Sequence, residues 1–133
     1  MHIIGVDPGK NCGWATFRDG INEGVGVAVG DEEIWDFIDS SYPDVWVVED
    51  YKIRSQRHGG FDHEFQSVFP AQVIGAIKYK AAVHKELVVL QQPTIKRPAM
   101  GMLAGKAYQK KANNHALDAY LHAVYYIHMG AKK

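Results

Sequence analysis

Four apolar residues in a row, Val45-Trp46-Val47-Val48, decide what kind of architecture this chain can adopt. A strand with one wet face alternates apolar and polar residues, whereas an unbroken apolar run marks a central strand covered on both sides. The cover has to come from helices elsewhere in 133 residues, a length that suits one domain, 1–133, with its own core. Asp31 to Ser40 places Ile34, Trp35, Phe37 and Ile38 along one face of a short helix, with Asp31 as its cap and Glu32 and Glu33 in its first turn. The spacing of Phe69, Val73, Ile77 and Ala81 predicts a second helix from about Ser67 to Glu86, with Pro70 in its first turn or at a kink. A last helix runs to about His128, capped by Asn113 or Asn114.

The other strands are shorter. His2 to Val6 is mostly apolar and stops at Asp7-Pro8-Gly9; Gly13 to Phe17 and Gly24 to Val29 follow, separated by the turn signal Asp19-Gly20. Together they read as an antiparallel meander. Leu87 to Leu90 is a further strand closed by Pro93, residues 51–64 read as a polar, basic loop, and Thr94 to Lys111 carries no clear pattern. The order βββαβαβα predicts an α/β fold: a mixed five-stranded sheet, meander first and parallel strands after, flanked by helices on both faces.

Charge is divided unevenly. Residues 1–50 hold two basic and 11 acidic groups, and residues 51–133 hold 13 basic and four acidic groups, so the halves cancel. The plain reading is a solvated surface with uneven charges. The sharper reading is an acidic centre that gathers cations beside a basic face that gathers phosphates, which is what a nuclease needs. No apolar stretch approaches the ~20 residues that span a bilayer, and the first residues lack the pattern of a secretory signal. Cys12 is the only cysteine, which excludes an intramolecular disulfide and a zinc site built on a cysteine cluster. A cytoplasmic protein without a membrane partner is expected.

Three acids stand at the ends of predicted elements: Asp7 after the first strand, Glu49 after the central strand, and Asp118 in the opening turns of the last helix. His115, three residues before Asp118, points from the same side of that helix. Singly, each has an ordinary role as a turn, a solvated strand end or a helix-terminal charge. Converging, they form a site for a hard cation such as Mg²⁺, which takes a few carboxylate oxygens and keeps waters for substrate phosphate. Two such ions can activate a water and stabilise the departing oxygen in phosphodiester cleavage. Asp50 follows Glu49, but strand alternation aims it at the opposite face.

These same residues carry a family likeness. Ile3-Ile4-Gly5-Val6-Asp7-Pro8-Gly9, followed by Gly13-Trp14-Ala15, resembles the opening of the RuvC family of Holliday-junction resolvases. Val47-Val48-Glu49 resembles the second motif of that family. His115-Ala116-Leu117-Asp118-Ala119 resembles its last motif, in which the first position is Asp or His and the second is Asp. Gln72-Val73-Ile74-Gly75 is similar to its helix after the DNA-contacting loop. The likeness spans nearly the whole chain. It implies an RNase H-like fold, a homodimer, cleavage of branched DNA, and two Mg²⁺ or Mn²⁺ ions per site held by Asp7, Glu49, His115 and Asp118. Between Lys96 and Asn114 the chain is shorter than typical bacterial members and looks like phage-encoded relatives, which would place it in the cytoplasm of a bacterial host.

For DNA contact, Lys52, Arg54 and Arg57 can meet phosphates on the loop after Glu49, and Gly59-Gly60 frees its backbone. Phe61 is the aromatic of that loop; in the family such a residue wedges into the branch point, and otherwise it packs on the core. Lys96 and Lys106 resemble family lysines near the scissile phosphate, where a lysine offsets transition-state charge. The expected activity is a structure-selective, metal-dependent endonuclease leaving 5′-phosphate and 3′-hydroxyl ends. The alternatives are a broader nuclease acting on flaps, forks, single strands or RNA, and a junction-binding module without catalysis. The phosphate loop of an actin-like ATPase or sugar kinase also begins with strand-Asp-x-Gly, but 133 residues leave no second domain to close over ATP, so no nucleotide cofactor is expected.

Overall fold

The computed structural model describes residues 1–51, 61–102 and 114–130, and of residues 61–67 and 114 the backbone alone. Strands β1 (His2–Asp7), β2 (Asn11–Arg18) and β3 (Ile21–Val29) form the meander. Helix α1 (Gly30–Ser40), strand β4 (Val45–Glu49), helix α2 (Phe61–His84) and strand β5 (Leu87–Gln91) follow. A 3₁₀ turn at Pro93–Ile95 leads into the short helix α3 (Lys96–Met100), and helix α4 spans Asn114–Met129.

The sheet order is β3-β2-β1-β4-β5. β1–β2 and β2–β3 are antiparallel, and β1–β4 and β4–β5 are parallel. This is the mixed sheet expected from the sequence, with β4 as a central strand. Its four apolar residues divide by parity. Trp46 and Val48 enter a core with Ile34 and Ile38 of α1 and Val73, Ile77 and Ala81 of α2. Val45 and Val47 enter a second core with Ala119, Tyr120, Ala123 and Val124 of α4. One run therefore serves two hydrophobic layers, which is why it cannot alternate.

Two glycines set how closely α4 lies on the sheet. A Cβ on Gly5 would sit 2.2 Å from the Ala119 carbonyl oxygen, and one on Gly13 would sit 2.0 Å from that of His115. Both clashes are with backbone, so these positions admit only a hydrogen if α4 is to keep its place.

The structure corrects two expectations. α1 begins at Gly30 instead of Asp31, and its N-cap, Val29, makes no side-chain cap bond. Gly30 turns the corner from β3 with φ +84°, and Glu33, four residues on, accepts the Val29 N–H at 3.1 Å and so satisfies an otherwise unpaired donor at the helix start. α2 begins at Phe61, so the predicted loop is in part helical and Pro70 lies in the helix interior. Phe61, Phe65 and Phe69 recur every four residues, a helical spacing masked by the polar, basic residues that surround Phe61. The patternless stretch after Thr94 contains α3. Among the described residues no helix is long and apolar enough to cross a membrane.

Candidate active site

Parity and register bring two acids together before any side-chain detail is considered. Gly5 pairs with Val47 and Val6 with Val48 across β1 and β4. The next residues are Asp7 and Glu49, side by side at the C-terminal edge of parallel strands. Both share the parity of Ile3, Val45 and Val47, whose side chains face α4. α4 crosses there and supplies Asp118 from its second turn. Asp7, Glu49 and Asp118 each present a carboxylate oxygen, and these oxygens lie within 4.8 Å of one another.

Each acid has a different environment. Asp7 is buried, and its Oδ2 lies 3.0 Å from Nδ1 of His115. Burial pushes its carboxyl up to about 6; the His115 hydrogen bond opposes this, and the charges of Glu49 and Asp118 add to it. Burial would also raise Glu49, but the hydrogen bonds from His122 and Lys96 outweigh it and hold Glu49 below the usual glutamate range. The Lys96 Nζ stands 2.9 Å from Glu49 Oε1 and 3.2 Å from Asp118 Oδ2. Burial alone would lower Lys96, and the two carboxylates reverse that and raise it.

Of the residues singled out from sequence, Asp7, Glu49 and Asp118 form the cluster. His115 joins it through Asp7, with its side chain about half exposed. Lys96, expected near the phosphate, opens α3 and pairs with two of the three acids. Asp50 takes no part: its carboxylate accepts from the Gln92 amide at 3.1 Å and its N–H donates to the Gln91 carbonyl. Phe61 is the first residue of α2 and does not belong to a loop. Lys52, Arg54, Arg57 and Lys106 lie outside the described residues.

Sequence reasoning missed His122 and its partner Gln91. His122, on α4 one turn beyond Asp118, places Nε2 2.9 Å from Glu49 Oε1 and Nδ1 2.8 Å from Gln91 Oε1. The available signal was a histidine four residues after an acid, in an otherwise apolar stretch of helix.

Oxygen donors from three separate elements, with an ammonium already drawn between two of them, fit a small hard cation. Net negative charge packed into a half-buried edge is costly unless a cation neutralises it.

No family model and no curated protein matches the sequence. Solved structures do match over nearly full length. RuvC of Thermus thermophilus in complex with Holliday junction substrate is 16% identical, with 98% of this chain and 96% of that chain covered and a TM-score of 0.71. A second structure of Thermus thermophilus RuvC is 15% identical at 98% and 97% coverage, with a TM-score of 0.65. The fowlpox virus Holliday junction resolvase is 13% identical at 96% and 99% coverage, with a TM-score of 0.66. The chain thus has the RNase H-like fold of the RuvC-type resolvases, the fold its sequence motifs resemble.

Proposed function

We propose that residues 1–133 form a single nuclease domain: a structure-selective, divalent-metal-dependent DNA endonuclease that resolves Holliday junctions and related branched DNA. The observation that carries this reading is the meeting of Asp7, Glu49 and Asp118 at one sheet edge. The scaffold is similar to that of a RuvC bound to a junction, which supports the same substrate class here. Asp7, Glu49, Asp118 and His115 would hold two Mg²⁺ or Mn²⁺ ions. When bound, the ions supply water activation and charge neutralisation for phosphodiester hydrolysis to 5′-phosphate and 3′-hydroxyl ends.

The chain's own groups prepare that chemistry. Asp7 must give up its proton to act as a ligand, and its raised carboxyl pKa makes this the proton-linked step. His115 orients the Asp7 carboxylate through the 3.0 Å bond. Lys96 keeps a positive charge at the acids and can turn it to the phosphate. Lys52, Arg54, Arg57 and Lys106 would contact the DNA backbone, and Phe61 the branch point. A homodimer would set two such sites against the two symmetric strands of a junction.

The test uses end-labelled four-way junctions, flaps, forks, linear duplex, single strands and RNA, with Mg²⁺, Mn²⁺ or EDTA. Paired symmetric cuts in the junction, dependent on metal and lost in Asp118→Asn, are expected. Equal cleavage of linear and branched substrates would instead favour a broad nuclease. Junction binding without any cutting by the wild type would favour a binding module.

A further inference from the structure

His122 is completely buried, in the second hydrophobic layer, on a helix whose other inward residues are mostly alanine, leucine and valine. An imidazole there carries a desolvation cost that leucine would not, unless both ring nitrogens are bonded. Both are. Nε2 meets Glu49 Oε1 at 2.9 Å and Nδ1 meets the Gln91 side-chain amide at 2.8 Å. The two partners are themselves paired across β4 and β5, Glu49 opposite Gln91. One ring from α4 therefore clamps the last residues of two adjacent strands.

Resting on the nuclease reading above, we propose that His122 and Gln91 are positioning residues that aim the Glu49 carboxylate at the cation site. Glu49 has three side-chain torsions and leaves its strand at an edge. A bond from a rigid, buried ring removes most of that freedom before any cation arrives. Lys96 bonds the same Oε1 at 2.9 Å from the more exposed side, so His122 still holds Glu49 when Lys96 withdraws. The amide of Gln91 suits its task, because it offers both a carbonyl and an NH₂ and can satisfy Nδ1 whichever way the ring's protons are arranged. A carboxylate or hydrocarbon at 91 would lack that latitude.

The test is Mn²⁺ uptake by the whole protein, followed by the loss of the free-ion paramagnetic resonance signal, with thermal melting as a control for folding. His122→Leu fills the space without a donor, and its Mn²⁺ affinity falls about tenfold or more. His122→Gln returns an N–H at the reach of Nε2 and recovers most of that loss. Gln91→Leu frees the ring and weakens uptake several-fold; it also carries the test if His122→Leu does not fold. Wild-type affinity in folded His122→Leu, or in Gln91→Leu, overturns the proposal. Equal weakening in His122→Leu and His122→Gln overturns it too, since bulk packing would then be the cause. Wild-type protein that takes up no Mn²⁺ refutes the nuclease reading, and this inference with it.

Discussion

Asp7 is held in a conflict that a single atom change relieves. Its carboxyl sits at about 6, against an ordinary 3.8, chiefly because it is buried, and next to two other acids. An acid whose folded pKa lies above its unfolded value favours folding when protonated. That advantage is complete below pH 3.8 and disappears as the pH rises through 6. Above pH 6, in the absence of cations, the ionised carboxylate costs the fold ~3 kcal/mol, from about 1.36 kcal/mol for each pH unit of displacement. Asn is nearly isosteric, stays neutral, and keeps an oxygen for the His115 contact. Asp7→Asn should therefore stabilise the metal-free protein by up to ~3 kcal/mol at pH 7.5, a rise in Tm on the order of 10 °C.

Thermal melts in EDTA at pH 7.5 and at pH 4 measure this. At pH 7.5 the variant should melt higher, and near pH 4 the two proteins should converge. Addition of Mg²⁺ or Mn²⁺ should raise the wild-type Tm, as any ligand of the native state does, and leave the variant unmoved. A variant no more stable than wild type at pH 7.5 would mean that no electrostatic strain is stored at Asp7, and the case for a prepared cation site would lose its energetic basis.

Other outcomes follow from the same geometry. Mn²⁺ affinity, read by calorimetry, should fall about tenfold per pH unit below 6, where the ion must displace the Asp7 proton, and level off above it. Lys96→Met should destabilise the metal-free protein by about 1–2 kcal/mol, since two charge-assisted bonds are lost, yet bind Mn²⁺ more tightly because the competing ammonium is gone. Gly13→Ala should cost ~3 kcal/mol in chemical denaturation, because the new methyl meets the His115 backbone and α4 must shift; its Mn²⁺ affinity should drop as Asp118 moves with the helix.

Much of the scaffold was legible because strong periodic signals agree with one another. The unbroken run at Val45–Val48 demanded two covered faces, and the two cores on either side of β4 supply them. The Asp-Pro-Gly stop and the Asp-Gly turn delimited the meander to within a few residues. Where local signals compete, sequence alone misleads. The start near Ser67 puts Pro70 in the first turn or at a kink, yet the helix begins at Phe61 and Pro70 lies in its interior. Asp31 reads as a cap by residue type, yet the corner is made by Gly30 in a left-handed conformation and by Glu33 reaching back. Both errors arise where a local preference is overridden by the position of the neighbouring element.

The site divides along the same line. Acids at strand ends are visible in one dimension, because parity and register carry Asp7 and Glu49 to the same face without knowledge of any distance. The partners of those acids are not visible, since they depend on what lies across the layer. His122 is an unremarked histidine in an apolar helix until the packing of α4 on β4 and β5 brings it against Glu49 and Gln91. Lys96 is placed near the phosphate by family resemblance, but its pairing with Glu49 and Asp118 emerges only when the turn after β5 swings it back over the acids. Gly5 and Gly13 tie the two levels together. They are read from sequence as part of a strand motif, but in three dimensions they are the gaps through which α4 comes close enough for Asp118 to join the other acids. Widening that gap by one methyl group tests whether the acids act as a unit, because the strand pair would keep Asp7 and Glu49 in register while the helix-borne His115 and Asp118 moved away.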